Sequence, residues 1–329
     1  MFAQSLSRVF LLTAILIFSA FPAFAAKGAF PEKTINVIHG FGPGGGIDVM
    51  ARMAIMNAND VFKVPVIVVP MPGGATVEAT RYIQKQPTDG YTVFATTPTS
   101  TLINPLAGRV SVMPEDWIPL LRAHIDVSSL MVREDSQFKN WDDCVAYAKS
   151  NPGKLKLGIM GALSVDELAS AAIMQQAGLS MKLIPYESGG EGHAALLGGH
   201  VDLLFEEPGV VSQLVDGKKL RPLLLLTQQR IKKFPDVACL GDYNYKGIPV
   251  LWRGFFVKKG TPEEIVKILE DGLTASMQSK MYQKYEEDSL LNIYPGGFQN
   301  SKEFGESFKK DAEAFRSVML ALGYLKTAK

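Results

Sequence analysis

Short apolar runs rich in β-branched residues alternate along this chain with segments whose apolar positions recur every three or four residues. The first part predicts strands at 34–39, 64–69 and 91–95, separated by helices at 47–58 and 76–85. A strand, a glycine-rich loop and a helix in repeated order are typical of βαβ units. The pattern therefore predicts an α/β fold with a parallel sheet.

A second set of the same kind follows. It predicts strands at 130–133, 155–159, 182–185, 201–205 and 222–226, and helices at 141–150, 165–176 and 192–197. Thr261-Pro262-Glu263-Glu264 resembles a capping box opening a helix to about 277, and 301–322 predicts a final amphipathic helix. No Pro- or Ser-rich linker separates the two sets, so we expect two lobes packed closely together, with a ligand cleft between them.

Composition narrows the function classes. The 329 residues are 47% hydrophobic and 20% charged, with a net charge of +1, as in an ordinary globular protein. No basic stripe is visible, which disfavours nucleic acid as a partner. Cys144 and Cys239 are too few for a cysteine-type zinc site, and their spacing leaves open whether they form a disulfide.

The first residues have the features of a secretory signal peptide. Arg8 precedes an apolar stretch that starts at Val9, and Ala23-Phe24-Ala25 forms an A-x-A cleavage site. The apolar run is shorter than the ~20 residues that a membrane span needs. We therefore expect export to the periplasm with cleavage after about Ala25.

The loop after the first strand is the richest in glycine. Residues 40–45 satisfy G-x-G-x-x-G, but a dinucleotide site also needs an acid about 20 residues later, and the second strand ends in "VVPMPGG". No lysine makes it a P-loop. The loop is instead expected to hold an anion through backbone N–H groups and the N-terminal end of the next helix, with Asp48 as a cap or a holder of a bridging water. A tight turn without a ligand remains the alternative.

Two neighbouring loops resemble it. "PMPGGATVEA" at 70–79 follows the second strand, and "TTPTSTLINP" at 96–105 places several hydroxyls after the third. Three adjacent loops rich in N–H and O–H donors suit a small oxyanion such as a carboxylate. Gly45 and Gly73 are expected to need the positive φ that glycine adopts easily.

Catalytic patterns find little support. The sequence has no G-x-S-x-G and no H-E-x-x-H, and the S-x-x-K at 136–139 lacks its companion motifs. His193 and His200 could share a helix face, but Gly198-Gly199 interrupts that helix, which disfavours a metal site. We expect no cofactor, no metal and no enzymatic activity.

Taken in order, the motifs resemble one family along essentially the whole mature chain. "FPEKTINVIHGFGPGGGIDVMAR", "PTDGYTVFATTPTSTLINP", "IPYESGGEGHAALLGGHVDLLFEEP" and "WRGFFVKKGTPEEIV" are similar to segments of the periplasmic receptors of tripartite tricarboxylate transporters, often called Bug receptors. The resemblance implies a two-lobed type II periplasmic-binding-protein fold with a ligand cleft between the lobes. It implies a signal peptide at 1–25, a first lobe formed by 26–125 and 250–329, and a second lobe at 126–249.

The resemblance also implies the ligand contacts. Those of the first lobe are Phe41, Gly44, Gly45, Gly46, Asp48, Gly73, Gly74, Thr97, Thr99 and Ser100, and those of the second lobe are Gly161, Ala162, Ser164, Asp166, Tyr186 and Glu206. The second lobe departs from the family pattern because it carries the acids Asp166, Glu167, Glu187, Glu206 and Glu207 at or beside these positions. Such acids repel a second ligand carboxylate, so we expect a monocarboxylate, an amino acid or a dicarboxylate in preference to citrate.

The expected partners are this small carboxylated solute and the membrane subunits of the transporter, and the receptor is expected to be a monomer. A receptor of the same fold that signals to a sensor protein is an alternative. A secreted α/β enzyme is another, from a different class, and the missing nucleophile and metal constellations disfavour it.

The A-x-A site leads to a direct prediction: the mature protein begins at about Ala26. Intact-mass analysis of protein recovered from the periplasm should show a chain that lacks residues 1–25. A mass that includes those residues would contradict the export prediction.

Overall fold

The computed structural model describes residues 30–326, so the predicted signal peptide and its cleavage site lie outside the described residues. The strands are β1 (Ile35–His39), β2 (Val66–Pro70), β3 (Thr92–Thr96), β4 (Trp117–Ile125), β5 (Ser129–Arg133), β6 (Lys156–Met160), β7 (Lys182–Tyr186), β8 (Leu203–Glu206), β9 (Leu220–Leu225), β10 (Ala238–Cys239), β11 (Trp252–Lys258) and β12 (Gln299–Asn300).

The helices lie mostly between these strands. They are α1 (Gly46–Ala54), α2 (Ala58–Phe62), α3 (Val77–Gln84), α4 (Asn104–Leu106), α5 (Trp141–Ser150), α6 (Val165–Ala177), α7 (Gly189–Leu197), α8 (Ser212–Asp216), α9 (Glu263–Met277), α10 (Lys280–Asp288) and α11 (Ser301–Ala321). A π-helical turn, Thr99–Ile103, precedes α4. None of the helices within residues 30–326 combines the length and the apolar character that a bilayer crossing needs.

The strands form two six-stranded sheets, one in each lobe. The first has the order β12-β4-β11-β3-β1-β2, and the second β10-β9-β5-β8-β6-β7. In the first sheet β1 pairs in parallel with β2 and β3, and β11 runs antiparallel to β3 and β4. The predicted two-lobed α/β architecture is confirmed.

The chain changes sheets between β4 and β5, and it returns to the first sheet with β11. The connection after β4 is short, because Ile125 ends β4 and Ser129 begins β5. Short crossings of this kind can act as a hinge. The lobe limits expected from the sequence stay a prediction.

The core of the first lobe is built around aromatic rings. Trp252 and Phe256 of β11 meet Phe304 and Phe308 of α11, and the rings of Trp252 and Phe304 lie 5.0 Å apart at 87°. Edge-to-face pairs of this kind are favourable beyond the area they bury. The last long helix is therefore fastened to the first sheet, although it lies far along the chain from β1 to β3.

The second lobe has its own core, in which Trp141 and Cys144 are completely buried. Cys144 and Cys239 are both free thiols, which answers the question that their spacing left open. Burial raises the pKa of Cys144 to about 12. That thiol therefore stays protonated and unreactive at neutral pH.

Two local expectations were wrong. The hydroxyl of Thr261 donates to the carbonyl oxygen of Lys258 at 2.8 Å, and Pro262 occupies the N-cap of α9, so no capping box forms. The helix expected over 47–58 ends at Ala54, and a separate short helix follows.

Strands β4 and β11 were not predicted as strands, because central strands buried on both faces show no alternation of apolar and polar residues.

The aromatic core gives a stability prediction. Phe304→Ala should lower the free energy of unfolding by about 3–5 kcal/mol, because a completely buried ring leaves a cavity when it is removed. Urea unfolding monitored by circular dichroism measures the change. Phe298→Ala is the matched control, since Phe298 is 42% exposed and its removal should change stability by less than about 0.5 kcal/mol. Equal losses in both variants would contradict the prediction.

Candidate functional site

A narrow cavity lies between the lobes at the carboxyl ends of β1, β3, β6 and β8. The first lobe lines it with Phe41, Gly45, Gly46, Ile47, Thr97, Thr99, Leu251 and Arg253, and the second with Met160, Asp166, Gly189, Phe205, Glu206 and Glu207. Its volume is about 50 Å³, which is room for a few water molecules. A ligand of ten heavy atoms or so would need the walls to move apart.

The two lobes touch around this cavity, so the structure is closed. Gly42 N–H donates to Glu187 O at 3.0 Å, and Val165 N–H donates to Thr99 Oγ1 at 3.3 Å. On another side, the hydroxyl of Tyr324 donates to Glu167 Oε1 at 2.7 Å. These bonds join residues of opposite lobes, so opening the cleft breaks them.

The glycine loop after β1 leads into α1, whose N-terminus faces the cavity. Gly45 is the N-cap and offers no side-chain cap to the first-turn N–H groups, which have no partner within the helix. The expectation for Gly45 was wrong, since its φ of −86° is open to any residue, whereas Gly73 has the expected positive φ of 143°. A Cβ on Gly189 would lie 2.7 Å from Gly45 Cα, so close backbone approach of the two lobes requires glycine at 189.

Asp48 holds this loop in shape and does not line the cavity. Its carboxylate accepts hydrogen bonds from Gly44 N–H at 3.2 Å, from Arg52 Nε at 3.0 Å, and lies 3.0 Å from His39 Nε2. Burial opposes ionisation of Asp48, but the bonds from Arg52, Gly44 and His39 outweigh it and lower its pKa. Asp48 therefore fixes the conformation of the loop that presents α1.

The structure gathers only part of the predicted site around the cavity. Phe41, Gly45, Gly46, Thr97, Thr99, Asp166 and Glu206 line it, whereas Gly44, Asp48, Gly73, Gly74, Ser100, Gly161, Ala162, Ser164 and Tyr186 do not. Gly44 lines a wider neighbouring cleft of about 480 Å³ instead. That each predicted residue contacts a ligand stays a prediction.

Several residues outside the cavity make bonds within the protein. Ser164 Oγ accepts from Glu167 N–H and so caps α6, and the carbonyl oxygens of Gly74 and Ala162 accept from Arg109. Ser100 lies in the π-helical turn. These contacts shape the loops around the cavity.

Arg253 is the principal residue that the sequence reasoning missed. It lies in β11, is only 3% exposed, and its Nη2 donates to Glu207 Oε2 at 2.6 Å while Nε lies 3.3 Å from Asp126 Oδ2. Burial alone would lower the pKa of Arg253, but Asp126 and Glu207 outweigh it and raise the pKa. The available sign was an arginine within the apolar run "LWRGFFV", since a buried arginine must be paired.

Three acids, Asp166, Glu206 and Glu207, lie in the second-lobe wall of the cavity. Asp166 Oδ2 accepts from Met160 N–H at 2.8 Å, and burial raises the pKa of Asp166 to about 7. Glu206 Oε2 lies 2.5 Å from His193 Nε2, and burial raises the pKa of Glu207 well above its usual range. Two other acids expected near the ligand do not line the cavity: Glu187 is exposed, and Glu167 accepts a hydrogen bond from the hydroxyl of Tyr324.

The cavity thus has donors on the first lobe and acids on the second. Within the described residues, no group of three or more His, Cys, Asp and Glu side chains is placed to hold a metal ion. His193 bonds Glu206, and His200 is exposed. The arrangement suits non-covalent capture of a small polar molecule.

Asp166 predicts a pH dependence of stability. In the folded protein its carboxyl keeps a proton up to about pH 7, whereas the unfolded carboxyl loses it near 3.8. The folded state therefore binds more protons across this window, and the wild type loses stability as the pH rises from about 4 to 7. Asp166→Asn should remove this loss, so its stability relative to the wild type should rise by up to about 1.4 kcal/mol per pH unit.

Urea denaturation at several pH values from 4 to 8 tests this expectation. The exposed acid Glu187 supplies the control, and Glu187→Gln should follow the wild-type curve. Parallel curves for Asp166→Asn and the wild type would show that Asp166 titrates as an ordinary carboxyl.

Comparison with known proteins agrees with this geometry. The family described as "Tripartite tricarboxylate transporter family receptor" matches residues 50–316. The "UPF0065 protein in gbd 5'region" of Cupriavidus necator is 28% identical over 320 residues, which cover 95% of this chain and 95% of that protein.

Solved structures share the fold. The crystal structure of a TctC solute-binding protein from Polaromonas is 26% identical, covers 89% of this chain and 99% of its own, and has a TM-score of 0.64. The malate-bound MatC of Rhodopseudomonas palustris is 18% identical, with coverages of 88% and 99% and a TM-score of 0.79, a likeness of fold alone. This chain belongs to the tripartite tricarboxylate transporter receptor family and is a solute-binding receptor, not an enzyme.

Proposed function

We propose that this receptor captures a small carboxylated solute in the cavity between its lobes, in the periplasm, and delivers it to the membrane subunits of a tripartite transporter. One observation carries the proposal: the uncapped N-terminus of α1 and the buried hydroxyl of Thr97, which has no partner among residues 30–326, face the same cavity. First-turn N–H groups and hydroxyls are donors that suit a carboxylate.

The ligand chemistry is supported by a neighbour of the same fold. MatC of Rhodopseudomonas palustris holds malate, a small carboxylate. In the present receptor the glycine loop after β1 lines the first-lobe side of the cavity. It is the loop that the sequence predicted to hold an anion. Closure over the ligand would bring Gly189 of the second lobe against it.

The second-lobe acids restrict the ligand. Asp166, Glu206 and Glu207 all line the cavity, and two like charges 4 Å apart repel each other by about 4 kcal/mol at an effective dielectric constant of 20. A ligand with several carboxylates would place one against this wall. We propose a monocarboxylate or an amino acid, whose distal end is neutral, donor-bearing or cationic, or a dicarboxylate, which brings fewer carboxylates to this wall than citrate does.

The receptor acts as a monomer that closes like a hinge, with the ligand favouring the closed state by its contacts with both lobes. The bonds between the lobes, such as Gly42 N–H to Glu187 O, are then made on closure. The closed surface is what the membrane subunits would distinguish from the open one. Cleavage after about Ala25 belongs to the same proposal.

A ligand screen tests the function. Thermal shift followed by calorimetry should show that lactate, malate or an amino acid raises the melting temperature of the mature wild type, because a ligand bound only by the folded state stabilises it. Citrate should bind at least about a hundredfold more weakly than the best of these. If no carboxylate binds, the proposed function is wrong.

Asp166→Asn tests the acidic wall with the same ligands. Removing this carboxyl should reduce the ratio of the affinity for the best monocarboxylate to the affinity for citrate by roughly tenfold or more at pH 8, where Asp166 is ionised. Glu187→Gln, at an exposed acid outside the cavity, should leave this ratio unchanged. Micromolar citrate binding by the wild type would contradict the role of the acids.

A further inference from the structure

The guanidinium of Arg253 lies where three parts of the receptor meet. Its strand, β11, belongs to the first sheet, Asp126 directly follows β4, and Glu207 directly follows β8 of the second sheet. The Arg253–Glu207 contact of 2.6 Å therefore joins the two lobes at the inner end of the cavity. Nη2 donates to Glu207, and Nε pairs with Asp126 Oδ2 at 3.3 Å by charge without a hydrogen bond, so Nη1 is the nitrogen that neither acid contacts.

That remaining nitrogen, Nη1, is buried and has no hydrogen-bond partner among the described residues. It lies against the first turn of α1, because a Cβ on Gly46 would be only 1.8 Å from it. Leaving buried N–H groups unsatisfied costs free energy, so an arginine that served only to join the lobes would be expected to use all its donors. Here the unused donor belongs to a residue that lines the cavity.

Donors of the first lobe gather on the side of the guanidinium that faces away from the two acids. The N-terminus of a helix carries a partial positive charge, and α1 directs that end at the unused side of the guanidinium. Thr97 Oγ1 lines the same cavity and is also buried without a partner within residues 30–326. A carboxylate has two oxygens with about four acceptor positions, enough for the guanidinium, the first-turn N–H groups and the hydroxyl together.

We propose that Arg253 binds the ligand's carboxylate through Nη1 and is the residue that makes this receptor specific for an anionic head group. The inference rests on the proposed function and names the group that selects the charge. Glu207 holds the opposite edge of the guanidinium and so directs Nη1 toward the cavity. When ionised, Glu207 also weakens the attraction, because its charge partly neutralises that of Arg253.

The residue thus explains how an acidic cavity can bind an acid. Asp166, Glu206 and Glu207 repel the ligand's carboxylate, and hydrogen bonds from backbone N–H groups alone would have to offset this repulsion. A charge-assisted hydrogen bond from arginine is about twice as strong as a neutral one. One guanidinium supplies this compensation for one carboxylate.

The experiment compares each acid with its uncharged amide. Calorimetry measures the affinities of lactate, lactamide, malate and malamide for the mature wild type and for the variants Arg253→Gln, Arg253→Lys and Glu207→Gln. Arg253→Gln should reduce the preference for acid over amide by about 10- to 100-fold, because a hydrogen bond to a charged group is lost. Arg253→Lys should retain part of the preference, and Glu207→Gln should raise acid affinity by roughly tenfold.

Arg122→Gln is the matched control. Arg122 is another buried arginine of the first sheet, but its Nε and Nη2 donate to the carbonyl oxygens of Gly297 and Gly296, and it does not line the cavity. Its replacement should leave the acid-to-amide ratio at the wild-type value even if stability falls.

The outcomes separate this inference from the proposed function. If the wild type binds none of the four compounds better than the others and no carboxylate in the wider screen, the proposed function fails. If the wild type prefers the acids and folded Arg253→Gln keeps the same ratio, only the role of Arg253 is overturned. Should Arg253→Gln fail to fold, Arg253→Lys decides, since an acid-to-amide ratio equal to that of the wild type overturns the inference.

Discussion

The closed arrangement depends on a buried arginine that has more acids around it than it can neutralise. Arg253 joins Asp126, at the crossing between the sheets, to Glu207 of the second lobe. Burying such a cluster costs desolvation free energy unless each charge is paired. Here burial raises the pKa of Asp166 and Glu207, which favours the neutral form of these carboxyl groups and lowers that cost. The same cluster links the lobes and lines the cavity, and in our proposal it also selects the charge of the ligand.

Local sequence patterns were sufficient for the first-lobe side of the site. Gly45, Gly46 and Thr97 follow strands that the pattern predicted, and the carboxyl ends of parallel strands meet at one edge of a sheet. Arg253 could not be found in this way. Its partners Asp126 and Glu207 come from distant parts of the chain, and the antiparallel β11 has no alternation that would mark it as a strand.

The order of the strands explains why other predicted residues lie away from the cavity. Gly73 and Gly74 follow β2, and Tyr186 ends β7, and each of these strands is at the edge of its sheet. The cavity is centred on inner strands, and of the residues described after β2 and β7 in these two loops only Gly189 lines it. A prediction from motifs treats successive loops as equivalent, because strand order is not visible in the local pattern.

Arg109 shows how the lobes can meet at small entropic cost. Its guanidinium donates to Asn104 Oδ1 and Gly74 O within the first lobe, and also to Ala162 O across the cleft. When the cleft opens, only the last of these bonds is lost, so the side chain stays fixed in one rotamer. Ordering a free arginine on each closure would cost up to about 2 kcal/mol of side-chain entropy. Because this residue is already immobilised, repeated cycles of capture and release need not spend that energy, and docking at this corner is limited by the motion of the lobes and not by a rotamer search.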